Sequence, residues 1–236
     1  MKTWTTNNKI RITRVLSGRS NSFVVNDNTL SILVDTGPEF MRNTLLRNLR
    51  VLDIKNIHYL ILTHSHFDHA ANADIIRDLF GAKVLIHKSE ANYLRKGENV
   101  MIKGTKKFSG FLVSKFGKRL LETLKFDPCP ADIEFETDGK LFIPETKIKI
   151  IHTPGHTEGS ISVIIDDEVA LTGDAMIGVS KNHIMPPFGN DINKIINSWG
   201  KLLETDCKWF LPSHGSANAR ELVGKEYVRY RNLQEM

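Results

Sequence analysis

The stretch Thr63-His64-Ser65-His66-Phe67-Asp68-His69 follows directly after Ile57 to Leu62, a run that is largely apolar. A short apolar run of this kind is typical of a strand that is covered on both faces. On extended backbone, side chains two positions apart point the same way, so His64 and His66 can share one cation. The Asp68-His69 pair lies where the chain turns into the next helix and can face the same opening. This histidine segment therefore predicts metal ligands at the carboxyl end of a buried strand.

Three further segments place a ligand-type residue directly after a predicted strand. They are His152-Thr153-Pro154-Gly155-His156-Thr157, Thr172-Gly173-Asp174 and Pro212-Ser213-His214-Gly215. Any one of these alone is typical of a turn. Together they supply the imidazole and carboxylate donors that a hard or borderline divalent cation takes without thiolate ligands.

Strand-like and helix-like segments alternate through the first part of the chain. A β-meander opens it, and helices then separate the later strands. The predicted strands are Ile10 to Leu16, Ser22 to Val25, Leu30 to Asp35, Ile57 to Leu62 and Lys83 to His87, and the helices lie around Leu45 and over Ala70 to Phe80, ended by Gly81.

The second part of the chain repeats this order, with strands first and helices later. Turns are predicted at Asp138-Gly139 and Asp166-Asp167-Glu168. The strands are Ile133 to Phe135, Leu141 to Ile143, Lys147 to Ile151, Ile161 to Ile165, Val169 to Thr172 and Trp209 to Leu211, and the helices are Asp191 to Leu203 and Ala219 to Leu233. Two sheets packed face to face, with helices outside, satisfy both halves. We therefore predict an α/β (α+β) fold with four αββα layers.

Composition limits the broad class of the protein. The chain has 236 residues, of which 41% are hydrophobic and 25% are charged, as is usual for one soluble domain. We therefore expect a single domain over residues 1–236. No run approaches the roughly eighteen apolar residues that span a bilayer, and the opening residues lack a signal peptide's apolar stretch, so a cytoplasmic protein is expected. Cys129 and Cys207 form no Cys-x-x-Cys motif and are expected to be free thiols.

A basic helical insert at about 88–130 is longer than a connection between two strands requires. From Arg95 to Lys125 there are nine basic residues against two acidic ones, whereas the whole chain has a net charge of +5. Apolar residues within the insert recur at the spacing of an amphipathic helix: Phe108, Phe111, Leu112, Phe116, Leu120, Leu121 and Leu124.

Three roles stay open for this insert: a lid, a dimer interface and a solvated face. In the lid hypothesis, aromatic and aliphatic residues line an apolar entrance, and lysines attract an anionic substrate. The residues concerned are Phe108, Phe111, Leu112 and Phe116 for the entrance, and Lys106, Lys107 or Lys115 for the charge. Binding of nucleic acid or of a membrane surface is the alternative for this segment.

The motifs resemble those of the metallo-β-lactamase fold hydrolase superfamily. The match runs from Leu33-Val34-Asp35-Thr36-Gly37 through the histidine segment to His156, Asp174 and His214. The resemblance implies that Asp35 supports the histidine segment from behind, as ligand imidazoles generally need. It also implies two metal sites and two catalytic carboxylates, Asp68 and Asp174. The implied ligands are His64, His66 and His156 for the first metal, Asp68, His69 and His214 for the second, and Asp174 as the bridge.

Such a site can hold two divalent ions, expected to be Zn²⁺, with Fe or Mn as alternatives. A hydroxide held between two ions can attack an ester, thioester or lactone carbonyl, so no serine or cysteine nucleophile is needed. The resemblance is to lactonase-like and glyoxalase II-like members. True zinc β-lactamases lack an aspartate at the position of Asp174, and glyoxalase II enzymes carry a Gly-Cys-Gly-Arg stretch where this chain has Ile177-Gly178-Val179-Ser180.

Two alternatives to carbonyl hydrolysis stay open. One is a phosphodiesterase-type hydrolase. The other is a persulfide dioxygenase-like oxidoreductase with a single iron, which His64, His156 and Asp174 would hold. A small-molecule substrate is expected in either case, with an anionic one favoured by the insert's charge. No membrane span and no nucleic-acid partner are expected, and a homodimer stays open.

Overall fold

Two compact units make up the computed structural model, which describes residues 1–27, 29–105, 107–136, 140–143 and 146–234. Unit 1 comprises residues 1–101 and 118–136, and unit 2 comprises residues 102–117 and 137–236. Each unit contains one β-sheet. The expectation that residues 1–236 form one hydrolase domain stays a prediction.

The sheet of unit 1 follows the order of its strands along the chain. These strands are β1 (Lys2–Thr5), β2 (Arg11–Leu16), β3 (Ser22–Asn26), β4 (Ser31–Val34), β5 (Tyr59–Ile61), β6 (Lys83–His87) and β7 (Ile133–Phe135). The first four are antiparallel neighbours, and β4 to β7 run parallel. The predicted meander and the strands that follow it are therefore confirmed. β1 was not predicted, because a short and mostly exposed edge strand has no apolar pattern.

The sheet of unit 2 is ordered β13-β12-β11-β10-β9-β8. Its strands are β8 (Lys140–Phe142), β9 (Ile148–His152), β10 (Ile161–Ile165), β11 (Val169–Gly173), β12 (Trp209–Pro212) and β13 (Asn218–Ala219). All neighbours are antiparallel except β11 and β12. The predicted turn between β10 and β11 is confirmed, and Asp166 and Asp167 both have the positive φ of a tight hairpin turn. The predicted turn at Asp138-Gly139 lies outside the described residues.

Helices connect the strands in both units. They are α1 (Arg42–Val51), α2 (Phe67–Ala70), α3 (Ala73–Phe80), α4 (Lys88–Lys96), α5 (Lys107–Leu112), α6 (Lys118–Thr123), α7 (Ile192–Leu203) and α8 (Arg220–Gln234). The helix predicted over Ala70 to Phe80 begins three residues later, as α3, because the end of the histidine segment forms a separate short helix, α2, that ends at Ala70. Gly81, with a φ of 66°, ends α3 as predicted. In the described part of the chain, no helix is both long enough and apolar enough to cross a membrane.

Each unit has its own apolar core. In unit 1, Leu45 and Leu49 of α1 and Ile76 of α3 pack in one cluster with residues of the parallel strands, among them Leu60. In unit 2, Trp199 of α7 clusters with residues that include Phe210 of β12 and Val223 of α8. Leu60 and Ile61 are neighbours on opposite faces of β5 and both are fully buried, which confirms the strand predicted to be covered on both faces.

The basic insert is helical but is not one continuous α-helix. A π-helical segment, Val113–Gly117, lies between α5 and α6. Phe111 is 59% exposed, and the Lys115 ammonium lies 5.6 Å from the centre of its ring. Lys106 lies outside the described residues, as do the side chains of Lys107, Phe108, Leu112, Phe116 and Leu120. The lid hypothesis therefore stays a prediction.

Leu60→Ala tests the central position of β5. Removing a fully buried leucine side chain should lower the free energy of unfolding by about 2–5 kcal/mol, because the lost burial is compounded by a cavity. Urea unfolding of the metal-free protein measures this change. Leu79→Ala, the same change at an exposed position of α3, should cost no more than about 0.5 kcal/mol, and equal losses in the two variants would contradict this description of the core.

Candidate metal centre

Four candidate metal ligands of unit 1 lie together just beyond β5. His64, His66 and His69 are buried, whereas the side chain of Asp68 is 20% exposed. Nε2 of His64 lies 2.9 Å from Nδ1 of His66, and the ring centres of His64 and His69 are 4.0 Å apart. Oδ1 of Asp68 lies 3.7 Å from Nε2 of His69. The structure therefore brings together all four donors of the histidine segment.

The partners of His64 and His66 determine which ring nitrogens carry a proton. Thr63 Oγ1 donates to a carboxylate oxygen of Asp35 at 2.8 Å, so it accepts from Nδ1 of His64, which lies 3.1 Å away. Nε2 of His66 donates to the carbonyl of Val100 at 2.9 Å. On this assignment, Nε2 of His64 and Nδ1 of His66 face each other with lone pairs. Two facing lone pairs repel unless a cation lies between them, so this donor pair fits a metal ion.

Asp35 supports the histidine segment from the end of β4. It is 1% exposed and has a φ of 58°, a conformation that aspartate and asparagine adopt more readily than most residues. Its Oδ1 accepts the backbone N–H of Thr63 at 2.8 Å, and its Oδ2 accepts Nδ1–H of His69 at 2.9 Å. The Nε2 of His69 is thereby left to face Asp68. The structure thus places Asp35 in contact with the histidine segment, and its role behind metal ligands stays a prediction.

Two residues that support the histidine segment were not predicted from the sequence. Glu90 of α4 is 1% exposed, and its Oε2 accepts both the backbone N–H of Ser65 at 3.0 Å and the Ser65 hydroxyl at 2.7 Å. Asn99 accepts the backbone N–H of Phe67 at 2.7 Å. These residues follow the segment by 25 and 32 positions, so no local spacing links them to it.

Three candidate ligands of unit 2 also converge. Oδ2 of Asp174 lies 3.6 Å from Nε2 of His156 and 3.3 Å from Nε2 of His214. Nδ1 of His156 donates to the carbonyl of Phe188 at 3.0 Å, which leaves the Nε2 lone pair directed at Asp174. One carboxylate oxygen therefore lies between two imidazole nitrogens.

Strand register brings these three residues to one edge of the sheet. β11 and β12 are parallel, with Gly173 opposite Pro212, so Asp174 and His214 emerge side by side. β9 and β11 are both antiparallel to β10, so the chain leaves β9 toward His156 at the same edge. Residues that follow the carboxyl ends of strands running in one direction meet at one edge.

Close backbone contact fixes the loop that carries His214. The N–H of Gly178 donates to the His214 carbonyl at 2.7 Å. A Cβ at Gly178 would lie 1.8 Å from the Ser216 carbonyl oxygen, and Gly215 has a φ of 93°. Both positions therefore require glycine. The Trp199 indole, another support that the sequence did not reveal, donates to the Ala175 carbonyl at 2.6 Å and holds the chain just after Asp174.

The two cysteines take no part in either donor set. Both are buried and free, and burial raises the pKa of the Cys129 thiol to about 12 and that of Cys207 to about 11. They are therefore neutral thiols near pH 7, neither nucleophiles nor thiolate ligands. Nε2 of His152 donates to the Glu158 carbonyl at 2.7 Å, and His152 is not among the proposed ligands.

Comparison with known proteins adds to these observations. The profile of the metallo-beta-lactamase superfamily matches residues 17–214. A probable metallo-hydrolase of Methanocaldococcus jannaschii is 30% identical over 205 residues, which cover 85% of this chain and 90% of that protein. The hydroxyacylglutathione hydrolase GloC of Haemophilus influenzae is 29% identical over 158 residues, covering 66% of this chain and 65% of that protein.

One solved structure illustrates the likeness of fold. The crystal structure of the BLEG-1 B3 metallo-beta-lactamase matches 89% of this chain and 95% of its own chain, with a TM-score of 0.68 and 22% identity. At this level of identity the likeness extends to the fold and not to the substrate.

Asp35→Asn tests the support behind the histidines. The amide presents one oxygen where the carboxylate presents two, so at least one of the three N–H and O–H groups that Asp35 now binds meets an NH₂ group instead. Metal affinity should fall by about 10–100-fold, as measured by competition with a chromogenic chelator. Asp53→Asn is the matched control, because Asp53 is exposed and has a similar φ of 55°. Equal affinities in the two variants would refute this role of Asp35.

Proposed function

The chain belongs to the metallo-beta-lactamase superfamily, and from this membership we propose that it is a binuclear hydrolase of an ester, thioester or lactone carbonyl. Membership confirms the predicted α/β fold class and the predicted enzyme class, a metal-dependent hydrolase. Enzymes of this superfamily act on small-molecule substrates and bind divalent metals. The number of ions, their identity and the carbonyl substrate form our proposal.

The proposed ligands are all histidines and aspartates. We assign three imidazoles to the first ion and a mixed set to the second, following the pattern that the resemblance implies. The assignment is His64, His66 and His156 for the first ion, Asp68, His69 and His214 for the second, and Asp174 between them. Imidazole and carboxylate donors without thiolate suit Zn²⁺, and they also accept Fe or Mn.

One contact within unit 2 carries the proposal of two ions. A single oxygen of Asp174 lies between the Nε2 atoms of His156 and His214, at 3.6 and 3.3 Å. A carboxylate in this position can serve two cations, each of which takes one of the imidazoles.

Residues of this chain orient the imidazole donors and supply negative charge to the proposed site. When bound, two divalent cations lower the pKa of a water and polarise a substrate oxygen. Asp35 and Thr63 keep the ring nitrogens of His64 and His69 in the tautomers that present lone pairs. Asp174 would offset the positive charge of the ions that His156 and His214 hold. Asp68 is partly exposed, and we propose it as the group that exchanges a proton with solvent.

Thioesters are the first substrate class to test. The similarity to hydroxyacylglutathione hydrolase GloC supports this choice, because hydroxyacylglutathione is a thioester. The Gly-Cys-Gly-Arg stretch of glyoxalase II enzymes is replaced here by Ile177-Gly178-Val179-Ser180. We therefore expect a thioester whose thiol is not glutathione, with lactones as the next class.

A panel of substrates tests the proposal. Zinc-loaded protein is assayed against acyl thioesters with different thiols, lactones, aryl esters and an aryl phosphodiester. We expect the highest kcat/KM on a carbonyl substrate. Turnover of the phosphodiester alone would contradict the carbonyl assignment.

His66→Ala should abolish turnover and reduce the bound metal, because it removes one of the three ligands of the first ion. His58→Ala serves as the matched control, since His58 is exposed and lies outside both donor sets. Metal content by mass spectrometry and initial rates are compared with those of the wild-type protein. Full activity of His66→Ala with its metal retained would refute the ligand assignment.

A further inference from the structure

A buried carboxylate outside the two donor sets contacts a loop histidine. Glu226 of α8 is 1% exposed, and its Oε2 lies 3.1 Å from Nδ1 of His183. Its Oε1 accepts an N–H of Arg229 at 3.1 Å. Burying a carboxylate is unfavourable unless it is paired and hydrogen-bonded, so both contacts matter.

Glu226 fixes the orientation of the His183 ring. A carboxylate oxygen accepts, so Nδ1 of His183 donates and its Nε2 carries the lone pair. That Nε2 is buried and has no hydrogen-bond partner among the described residues. The Tyr230 ring lies beside the imidazole, with centroids 6.2 Å apart. The hydrogen bond to Glu226 is therefore the polar contact that sets the position of this side chain.

His183 belongs to a loop that touches the ligands of unit 2. We call residues 177–189 the site loop. It begins three residues after Asp174. Near its start, the Gly178 N–H donates to the His214 carbonyl at 2.7 Å. Near its end, the Phe188 carbonyl accepts Nδ1–H of His156 at 3.0 Å. One loop thus contacts two of the three ligands and continues from the third.

Backbone pairing links His183 to the start of the site loop. The N–H of Ile177 donates to the Ile184 carbonyl at 2.8 Å, and Ser180 and His183 form a bridge between them. The start of the loop is therefore folded against the segment that carries His183. A shift of His183 would move Gly178, and with it the carbonyl of His214.

The opposite end of the site loop has different anchors. The Thr105 N–H donates to the Pro187 carbonyl at 3.0 Å, and the Gly189 N–H donates to the Lys103 carbonyl at 2.8 Å. These bonds hold the part near Phe188. The His183–Glu226 bond ties the other part to α8.

We propose that His183 and Glu226 are positioning residues of the metal centre. Their hydrogen bond holds the first part of the site loop, so that the Gly178 N–H sets the orientation of His214. Neither residue touches the metal or the substrate. This inference rests on the proposed binding of metal by His156, Asp174 and His214.

Three variants of α8 separate this role from a general effect on stability. Glu226→Leu removes the acceptor of the His183 N–H, whereas Glu226→Gln keeps an oxygen there. Glu221→Leu makes the same change at an exposed position of the same helix. Metal affinity is measured by chelator competition, and the ligand field is measured by the visible spectrum of the cobalt-loaded protein.

Glu226→Leu should weaken metal binding by about 10-fold, which is the lower end of the loss seen when contacts that orient ligands are removed. It should also shift the visible absorption bands of the cobalt-loaded protein. Glu226→Gln and Glu221→Leu should both stay close to wild type. His183→Leu breaks the same bond while Arg229 remains beside Glu226, so His183→Leu should give the same result as Glu226→Leu. If Glu226→Leu does not fold, His183→Leu takes its place in the test.

Thermal unfolding of the metal-free variants separates a role in stability from a role in metal binding. If Glu226→Leu and His183→Leu lower the unfolding temperature but keep wild-type metal affinity and cobalt spectrum, the pair is structural only and this inference is overturned. Failure of the wild-type protein itself to bind divalent metal would instead refute the proposed function.

Discussion

Burial of several imidazoles within one short segment requires a polar partner for almost every ring nitrogen. An unsatisfied buried polar group costs more than a hydrogen bond returns. Asp35 meets much of this demand in unit 1, because its two oxygens bind the Thr63 N–H, the Thr63 hydroxyl and Nδ1 of His69. The contacts that stabilise the segment therefore also orient the imidazole nitrogens that keep a lone pair. Stability and preparation for a metal have the same physical source here.

Unit 2 reaches a similar result by different means. Its donors come from three separate loops, so they depend on strand register and on close backbone contact. The parallel pairing of β11 and β12 places Asp174 beside His214, and the Gly178–Gly215 contact leaves no room for side chains. Contacts from α7 and α8 then reach the same loops, through Trp199 and through the His183–Glu226 pair. Helices α7 and α8 thus contact the loops that carry the candidate ligands.

Most of the strands could be predicted from the sequence, because apolar periodicity is a local signal. Ligand-type residues at strand ends were visible as well, and the ligand set now proposed is the one that the family resemblance implies. β6, β7 and β10 have the predicted bounds. Glu90, Asn99 and Glu226 could not be predicted as partners of the site, since each acts across a long separation in sequence. The short helix α2, which precedes the predicted helix, was also missed. Helical periodicity does not reveal that Asp68 and His69 already occupy a turn of their own.

The metal content of the wild-type protein is the most direct test of a binuclear centre. Plasma mass spectrometry on protein purified without added metal and without a histidine tag gives both the identity and the ratio of ions. A site with two ions bridged by Asp174 predicts about two divalent ions per chain, chiefly zinc. About one iron per chain would contradict it, and would favour a mononuclear site held by two histidines and one carboxylate.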